Sequence, residues 1–415
     1  MKASTSTGRS GVLPILMLAS TLSVMAGAVI SPVLEVIRGD LGLSATAAGM
    51  ILTTHGLSIA IASPVVGWMI DRWGVRTPLA WGLLLYGVAG GVGAFTSSYA
   101  ALIATRIAFG AGAAAVFAGT TVALLSLYTG EQRDRVMGWR STAISLGGVI
   151  WPLLAGAIGG FSWHATFAIY FVGVPLGVAA LLMLPPTPRA TGTSGAPKER
   201  ILPLLGRRPA LLGFYALFAV SSVLLYGLAV FLPIRLAEIG VKEPFLVALV
   251  GTTVSVAMSL IGFAYAKLRA AMAYGVLLRL TAASWVLAFA LLGLSSSVVL
   301  IVLGAGLFGL GMGILMPAVT VLIGDSAPPS LRGQATALSG TASFAGQFAS
   351  PLVLGPVIDS TSVQTGYLAS GGVAALMLLV LLIARIKDPA PPQSVDTEQT
   401  TPEPVTSPVP SEEKS

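Results

Sequence analysis

Cysteine is absent from this 415-residue sequence, and histidine occurs only at His55 and His164. The first absence excludes disulfides, thiolate metal sites and cysteine nucleophiles. The two histidines stand too far apart for a metal-binding spacing, so no metal and no cofactor is expected. Charge is also scarce: 9% of the residues are Asp, Glu, Lys or Arg, against about 25% in soluble domains. A soluble globular protein is thereby excluded. The net charge of +7 does not signal nucleic-acid binding, because the basic residues sit in short gaps between apolar runs and form no stripe. There is no G-x-x-x-x-G-K-[ST] loop, which argues against direct ATP drive.

What the chain has instead is apolar length. Hydrophobic residues make up 55%, with 49 glycines besides, and the mean hydropathy is +0.89. Apolar segments fall near 11–34, 46–70, 78–96, 99–127, 137–160 and 165–184. They resume near 208–232, 244–266, 272–294, 297–322, 334–357 and 364–386. Each is long enough to cross about 30 Å of hydrocarbon as a helix. Ala26-Gly27-Ala28 has the form of a signal-peptide cleavage site, but the apolar run continues past it. The expectation is an all-α membrane protein of twelve transmembrane helices in two six-helix bundles. A short N-terminus (1–10) leads into the first bundle (11–184). A Pro/Gly/Thr-rich linker (185–207) leads to the second (208–386), and a Pro/Ser/Thr/Glu-rich disordered tail follows (387–415). About 18 of the 23 Lys and Arg fall on one side of this arrangement, the other carrying only Arg38, Arg235 and Lys242. The excess of positive charge places both termini in the cytoplasm.

The halves repeat weakly at an offset of about 195–199 residues. Gly67–Arg72 aligns with Gly262–Lys267, Phe109-Gly110-Ala111-Gly112 with Phe308-Gly309-Leu310-Gly311, and Gly147–Gly156 with Gly346–Gly355. Three blocks in one order indicate duplication, and two like bundles about a central site is a transporter architecture.

Three motifs carry a resemblance. Gly67-Trp68-Met69-Ile70-Asp71-Arg72-Trp73-Gly74-Val75-Arg76, between spans 2 and 3, is similar to the loop pattern G-x-x-x-D-R-x-G-R-R of the major facilitator superfamily, with Val75 replacing one basic residue. Gly138, Gly147, Trp151, Pro152 and Gly156 in span 5 resemble the antiporter motif g-x8-G-x3-G-P-x-x-G-G, with Trp151 and Ala155 in place of two glycines. Arg106-Ile107-Ala108-Phe109-Gly110-Ala111-Gly112 in span 4 resembles the exporter pattern R-x-x-Q-G-x-G, with Phe109 in place of the polar residue. The resemblance covers residues 11–386 and is nearest to the twelve-span drug:proton antiporters.

The resemblance implies a conformational latch at Gly67, Asp71, Arg72, Gly74 and Arg76. In it Asp71 faces the positive N-terminus of span 11 near Ser330, and Arg72 and Arg76 pair with Glu131 or Asp134. Arg106, roughly 10 Å inside the membrane at 1.5 Å per residue, needs a partner or a wet cavity. Span 1 lacks the carboxylate that proton-coupled relatives often carry there. A Glu35/His55/Arg106 cluster is therefore the expected proton-coupling site, with His55 the group able to titrate near neutrality. The family cavity lies between spans 1, 4, 7 and 10, so Tyr226, Phe231, Met312 and Met316 are expected to line it, with Gln347 adding a polar contact. So few charges suit a neutral or amphipathic substrate.

The function expected is a secondary active exporter of drug-like or secondary-metabolite molecules, working by alternating access in the plasma membrane. Protons are the coupling ion, the bilayer is the solvent, and no obligate protein partner is evident. The alternative is an importer or anion/metabolite carrier on the same fold, with Arg106 as the substrate's counter-charge. An intramembrane hydrolase is disfavoured: Ala337-Leu338-Ser339-Gly340 lacks the leading glycine of G-x-S-G and a neighbouring histidine.

Overall fold

A computed structural model describes residues 11–186, 205–206, 208–328, 331–384 and 386. The N-terminal segment 1–10, most of the linker and the tail 387–415 lie outside the described residues. Twelve helices are long and apolar enough to cross a membrane, and no strand occurs among the described residues. In the first half they are α1 (Val12–Asp40), α2 (Ala45–Trp73), α3 (Arg76–Phe95), α4 (Tyr99–Leu127), α5 (Gly130–Gly159) and α6 (Trp163–Met183). The second half has α7 (Pro209–Glu238), α8 (Pro244–Ala271), α9 (Tyr274–Leu294), α10 (Val298–Ser326), α11 (Arg332–Ser360) and α12 (Val363–Ile383).

Local chemistry sets several ends. Ser44 and Ser362 cap α2 and α12 by accepting from the amides of Ala47 and Thr365. Pro209 and Pro244 open α7 and α8, where a missing N–H costs nothing. Gly74 closes α2 with φ +78°, in the left-handed region that favours glycine. In α1 the helix loosens into a 3₁₀ turn at Ser31–Val33, where Pro32 withholds a donor.

Within each bundle the pairing is the same. In the first, α4 packs on α2 and α3, α3 on α6, and α1 on α5. In the second, α10 packs on α8 and α9, α9 on α12, and α7 on α11. A Cβ at Gly110 would overlap the carbonyl oxygen of His55, and one at Gly309 would overlap that of Val254. These repeat-related glycines bring α4 onto α2 and α10 onto α8 backbone to backbone, as small residues do in membranes.

The bundles meet along two seams, α2 with α11 and α5 with α8. The seams are closed at only one end. We call the end holding the Gly74–Val75 loop the motif end. Near the opposite end Gly49 abuts Pro351 and Val230, Gly355 abuts Thr46, and Gly156 abuts Pro244 and Ala248. Toward the motif end Gly67 of α2, Gly138 of α5, Gly262 of α8 and Gly340 of α11 have nothing within 4 Å of a would-be Cβ. The molecule is therefore open between the bundles at the motif end and shut at the other.

Candidate transport cavity

A cavity of about 320 Å³ lies between the bundles, beneath the closed end. Its walls come from α1 (Leu22, Ser23, Gly27), α2 (His55), α4 (Phe117), α5 (Gly148, Pro152), α7 (Tyr226), α8 (Ser255, Met258) and α11 (Phe344, Gln347), with Tyr86 of α3 behind. Among the described residues, no Asp, Glu, Lys or Arg lines it. The polar groups are few. Tyr86 donates to the Leu22 carbonyl at 3.0 Å, and Ser31 donates to the Ala229 carbonyl at 2.6 Å. The hydroxyl of Ser23 has no partner among the described residues.

Besides the Ser31–Ala229 bond, two side-chain pairs cross the cavity from one bundle to the other. His55 Nε2 lies 3.0 Å from the Gln347 amide nitrogen, with both side chains buried. An amide nitrogen only donates, so in this arrangement the imidazole nitrogen accepts. Nearer the motif end, Phe117 and Phe344 meet edge to face with ring centroids 6.1 Å apart.

The expected cavity set is partly displaced. Tyr226 and Gln347 line the cavity, whereas Phe231 and Met312 are fully buried in the second bundle and Met316 packs against that core. Helix α10 contributes no wall. Its glycines at 309, 311 and 313 draw it in against α8 and the Trp285 ring of α9, which turns Met312 inward.

Glu35, His55 and Arg106 do not form one cluster. Glu35 holds Arg38 through a two-pronged ion pair, both bonds 2.7 Å, toward the closed end. Arg106 is completely buried and sits in an aromatic cage, 4.6 Å from the ring centre of Phe109, 5.0 Å from Tyr170 and 5.2 Å from Phe167. It donates one hydrogen bond, to the Gly90 carbonyl at 3.1 Å. Its Nε and Nη1 have no partner among the described residues. Cation–π attraction in place of a carboxylate holds this charge. Phe109 stands between it and His55, whose ring meets Phe109 edge to face at 5.9 Å. The residue that departs from the R-x-x-Q-G-x-G pattern thus separates Arg106 from the cavity.

The loop motif is likewise divided. Asp71 is exposed and, among the described residues, makes no hydrogen bond or ion pair; Ser330, its expected neighbour, lies outside the described residues. Arg72 lies over the Trp68 ring at 5.9 Å. Arg76 pairs with neither Glu131 nor Asp134. It binds the Leu181 carbonyl in the last turn of α6, with Nε at 3.0 Å. Arg279 makes the matching bond to the Leu381 carbonyl of α12 at 2.9 Å. Each cation satisfies a carbonyl that a helix end leaves unpaired.

In α5 the motif splits between two faces. Gly147 abuts Thr21 of α1, and Trp151 Nε1 donates to Thr21 Oγ1 at 3.1 Å. Pro152 faces the cavity and Gly156 faces α8, while Gly138 faces open space. Sequence reasoning did not find Ser23, Phe117, Met258 or Phe344, since nothing but their helix faces marks them. The cage aromatics carried a usable signal, because Tyr86 and Phe109 align with Trp285 and Phe308 in the repeat.

The family model described as Major Facilitator Superfamily matches residues 16–284 and 244–411. Among curated proteins, the chain is 26% identical over 365 residues to the quinolone resistance protein NorA of Staphylococcus aureus (strain MRSA252), covering 85% of this chain and 91% of NorA. It is 30% identical over 155 residues to multidrug resistance protein 1 of Bacillus subtilis (strain 168), covering 37% and 39% of the two chains. Among solved structures, a bacterial homolog of the human lysosomal transporter Spinster, inward-facing and occupied, superposes with TM-score 0.76 at 17% identity over 94% of this chain and 100% of that one. The D-xylose–proton symporter superposes with TM-score 0.71 at 17% identity over 89% and 96%.

Proposed function

The chain belongs to the major facilitator superfamily and is a transporter rather than an enzyme, and from that premise we propose that it exports uncharged or amphipathic, largely apolar small molecules in exchange for protons. The observation that carries this reading is the cavity itself. It is lined by aromatic and aliphatic side chains with a handful of hydrogen-bonding groups and, among the described residues, no Asp, Glu, Lys or Arg. Such a wall favours molecules that bury flat apolar surface and make one or two hydrogen bonds. The likeness to NorA over most of both chains supports export of drug-like compounds.

In this reading the motif end is cytoplasmic, the membrane is the plasma membrane, and the conformation seen is open to the cytoplasm. The positive-inside distribution supports that orientation. Asp71, free of partners among the described residues here, engages the N-terminus of α11 when that side closes. His55 is the coupling residue in this reading, because it is the histidine on the cavity wall and its Nε2 makes the hydrogen bond that joins the two bundles there. In the open state its Nε2 already accepts from Gln347, so a proton there breaks a link between the bundles. Arg106 acts behind Phe109 as a fixed charge on the same site. Its enclosure gives no support to a role as counter-charge for an anionic substrate.

The test is proton release from acid-loaded everted vesicles on adding a lipophilic quaternary ammonium dye, an uncharged aromatic drug or an aromatic carboxylate. Release by the uncharged drug in wild type and not in Arg106→Ala is the expected result. Counterflow of the carboxylate without proton movement would replace export with an anion carrier.

A further inference from the structure

Helices α2 and α11 run antiparallel along one seam, and each ends in a turn that carries an aspartate: Asp71 at the motif end of α2, Asp359 at the opposite end of α11. At the closed end Asp359 does what a helix-capping side chain does, but for the other bundle. Its Oδ1 accepts from the Ala45 amide at 2.7 Å, and its Oδ2 accepts from the Thr46 amide at 3.2 Å and the Thr46 hydroxyl at 2.6 Å. Ser44 takes the next amide, that of Ala47. The first three amides of α2, which a helix start leaves unpaired, are thus all satisfied, two of them from α11. Beneath this cap, Gly49 and Gly355 let the two helices touch. At the other end of the same seam Asp71 is exposed and Gly67 faces open space.

We infer that Asp359 is a gating residue of the transport cycle, a carboxylate clamp that holds the end opposite the loop motif shut by capping α2 across the bundle interface. Opening that end pulls Asp359 away from α2. Two backbone amides and a carboxylate then lose charge-assisted hydrogen bonds and the favourable end of the α2 dipole. Because α2 and α11 are antiparallel, each carries an aspartate near its C-terminal end, Asp359 on the start of α2 and Asp71 exposed at the motif end, where the proposed latch would bring it to the start of α11. Rocking the bundles makes one contact as it breaks the other. The proposal rests on family membership and on these bonds, and it holds whatever the substrate or coupling ion.

The absence of cysteine makes the test direct. Spin labels are placed at S98C and S296C, exposed positions in the closed-end loops of the two bundles, and separately at Q132C and A270C at the motif end. Distances are measured by pulsed electron resonance in lipid nanodiscs, with no substrate and no proton gradient. Asp359→Asn removes the charge and sets an amide donor against the α2 amides. It is expected to raise the population with a long Ser98–Ser296 distance about fivefold and to shorten the motif-end pair. Asp359→Glu, which keeps the carboxylate, is expected to stay near wild type. An unchanged distribution in Asp359→Asn overturns the clamp, as does an equal shift in Asp359→Asn and Asp359→Glu, which would mean mere loss of packing. If Asp359→Asn does not insert, Thr46→Val serves. It removes one of the three bonds and should shift the same pair in the same sense by about twofold; no shift there overturns the proposal.

Discussion

The two bundles build the same aromatic box and fill it differently. In the first, Tyr86, Phe109, Phe167 and Tyr170 surround the guanidinium of Arg106, with Gly90 leaving room and offering its carbonyl. In the second, Phe308 and Tyr367 pack on Phe289, and Trp285 stacks on Phe308. At the repeat offset Arg106 corresponds to Ala305, Gly90 to Phe289 and His55 to Val254. One large and one small residue exchange places between the halves, so the box stays filled at similar volume, as close packing demands. The difference is chemical. The second bundle keeps an apolar core with Trp285 Nε1 satisfied by the Phe308 carbonyl at 3.0 Å. The first tolerates a buried cation with no carboxylate partner among the described residues, close to the cavity's histidine. A charge held at such desolvation cost, where the sister half carries Ala305, points to function rather than stability.

That contrast can be broken from either side. Arg106→Met replaces the charge with an apolar chain of similar reach. It should abolish drug-driven proton release in everted vesicles while leaving the thermal unfolding midpoint in detergent unchanged or raised, since apolar replacement of buried charge is often neutral or stabilising by about 1–4 kcal/mol. A large fall in the midpoint would make Arg106 structural. Phe289→Ala is the mirror experiment. It should cost about 3–5 kcal/mol of stability through the cavity it leaves, seen in the same thermal assay, with the proton-to-substrate ratio of the surviving protein unchanged.

His55→Gln keeps a hydrogen-bonding group opposite Gln347 but cannot gain a charge. Transport driven by a substrate gradient should persist while substrate-driven proton movement is lost; unaltered proton movement would place the coupling site elsewhere. Asp71→Asn should lower transport severalfold with membrane insertion intact, measured by uptake normalised to surface-labelled protein, and normal transport would end the latch role. Phe344→Ala is the mildest change. Losing one edge-to-face contact of about 1 kcal/mol should alter the apparent substrate affinity by a few fold without touching coupling.

Much of the fold was legible. Twelve apolar runs become twelve helices because a membrane interior forces backbone groups to pair within the segment, so length and hydropathy suffice to find them. The helices exceed the runs where charged turns continue into the interface, as α5 does by starting at Gly130 rather than near residue 137. The site was less legible. Of the residues expected at the cavity from their spans, Tyr226 meets it while Phe231 and Met312 face the bundle core; His55, Gln347 and Pro152, marked by chemistry or motif, also stand on its wall. Periodicity gives little help here, since a helix apolar all round shows no preferred face. Arg76 was assigned to a latch from its motif, but its partner is a carbonyl on α6, a contact no spacing in one loop can reveal.

Composition and motif order by themselves determined the membrane class, the twelve spans, the duplication and the family, because each depends on local hydropathy or on contiguous residues. The tertiary structure decided which end of the seams is closed in the conformation seen, which helices wall the cavity, and that Arg106 lies behind Phe109 rather than in the cavity. It also joined Asp359 to the start of α2, more than 300 positions away in the chain. These are relations between helices whose surfaces are alike to lipid and to protein. Only close approach through particular glycines, and the geometry of a few buried hydrogen bonds, distinguishes one packing from another.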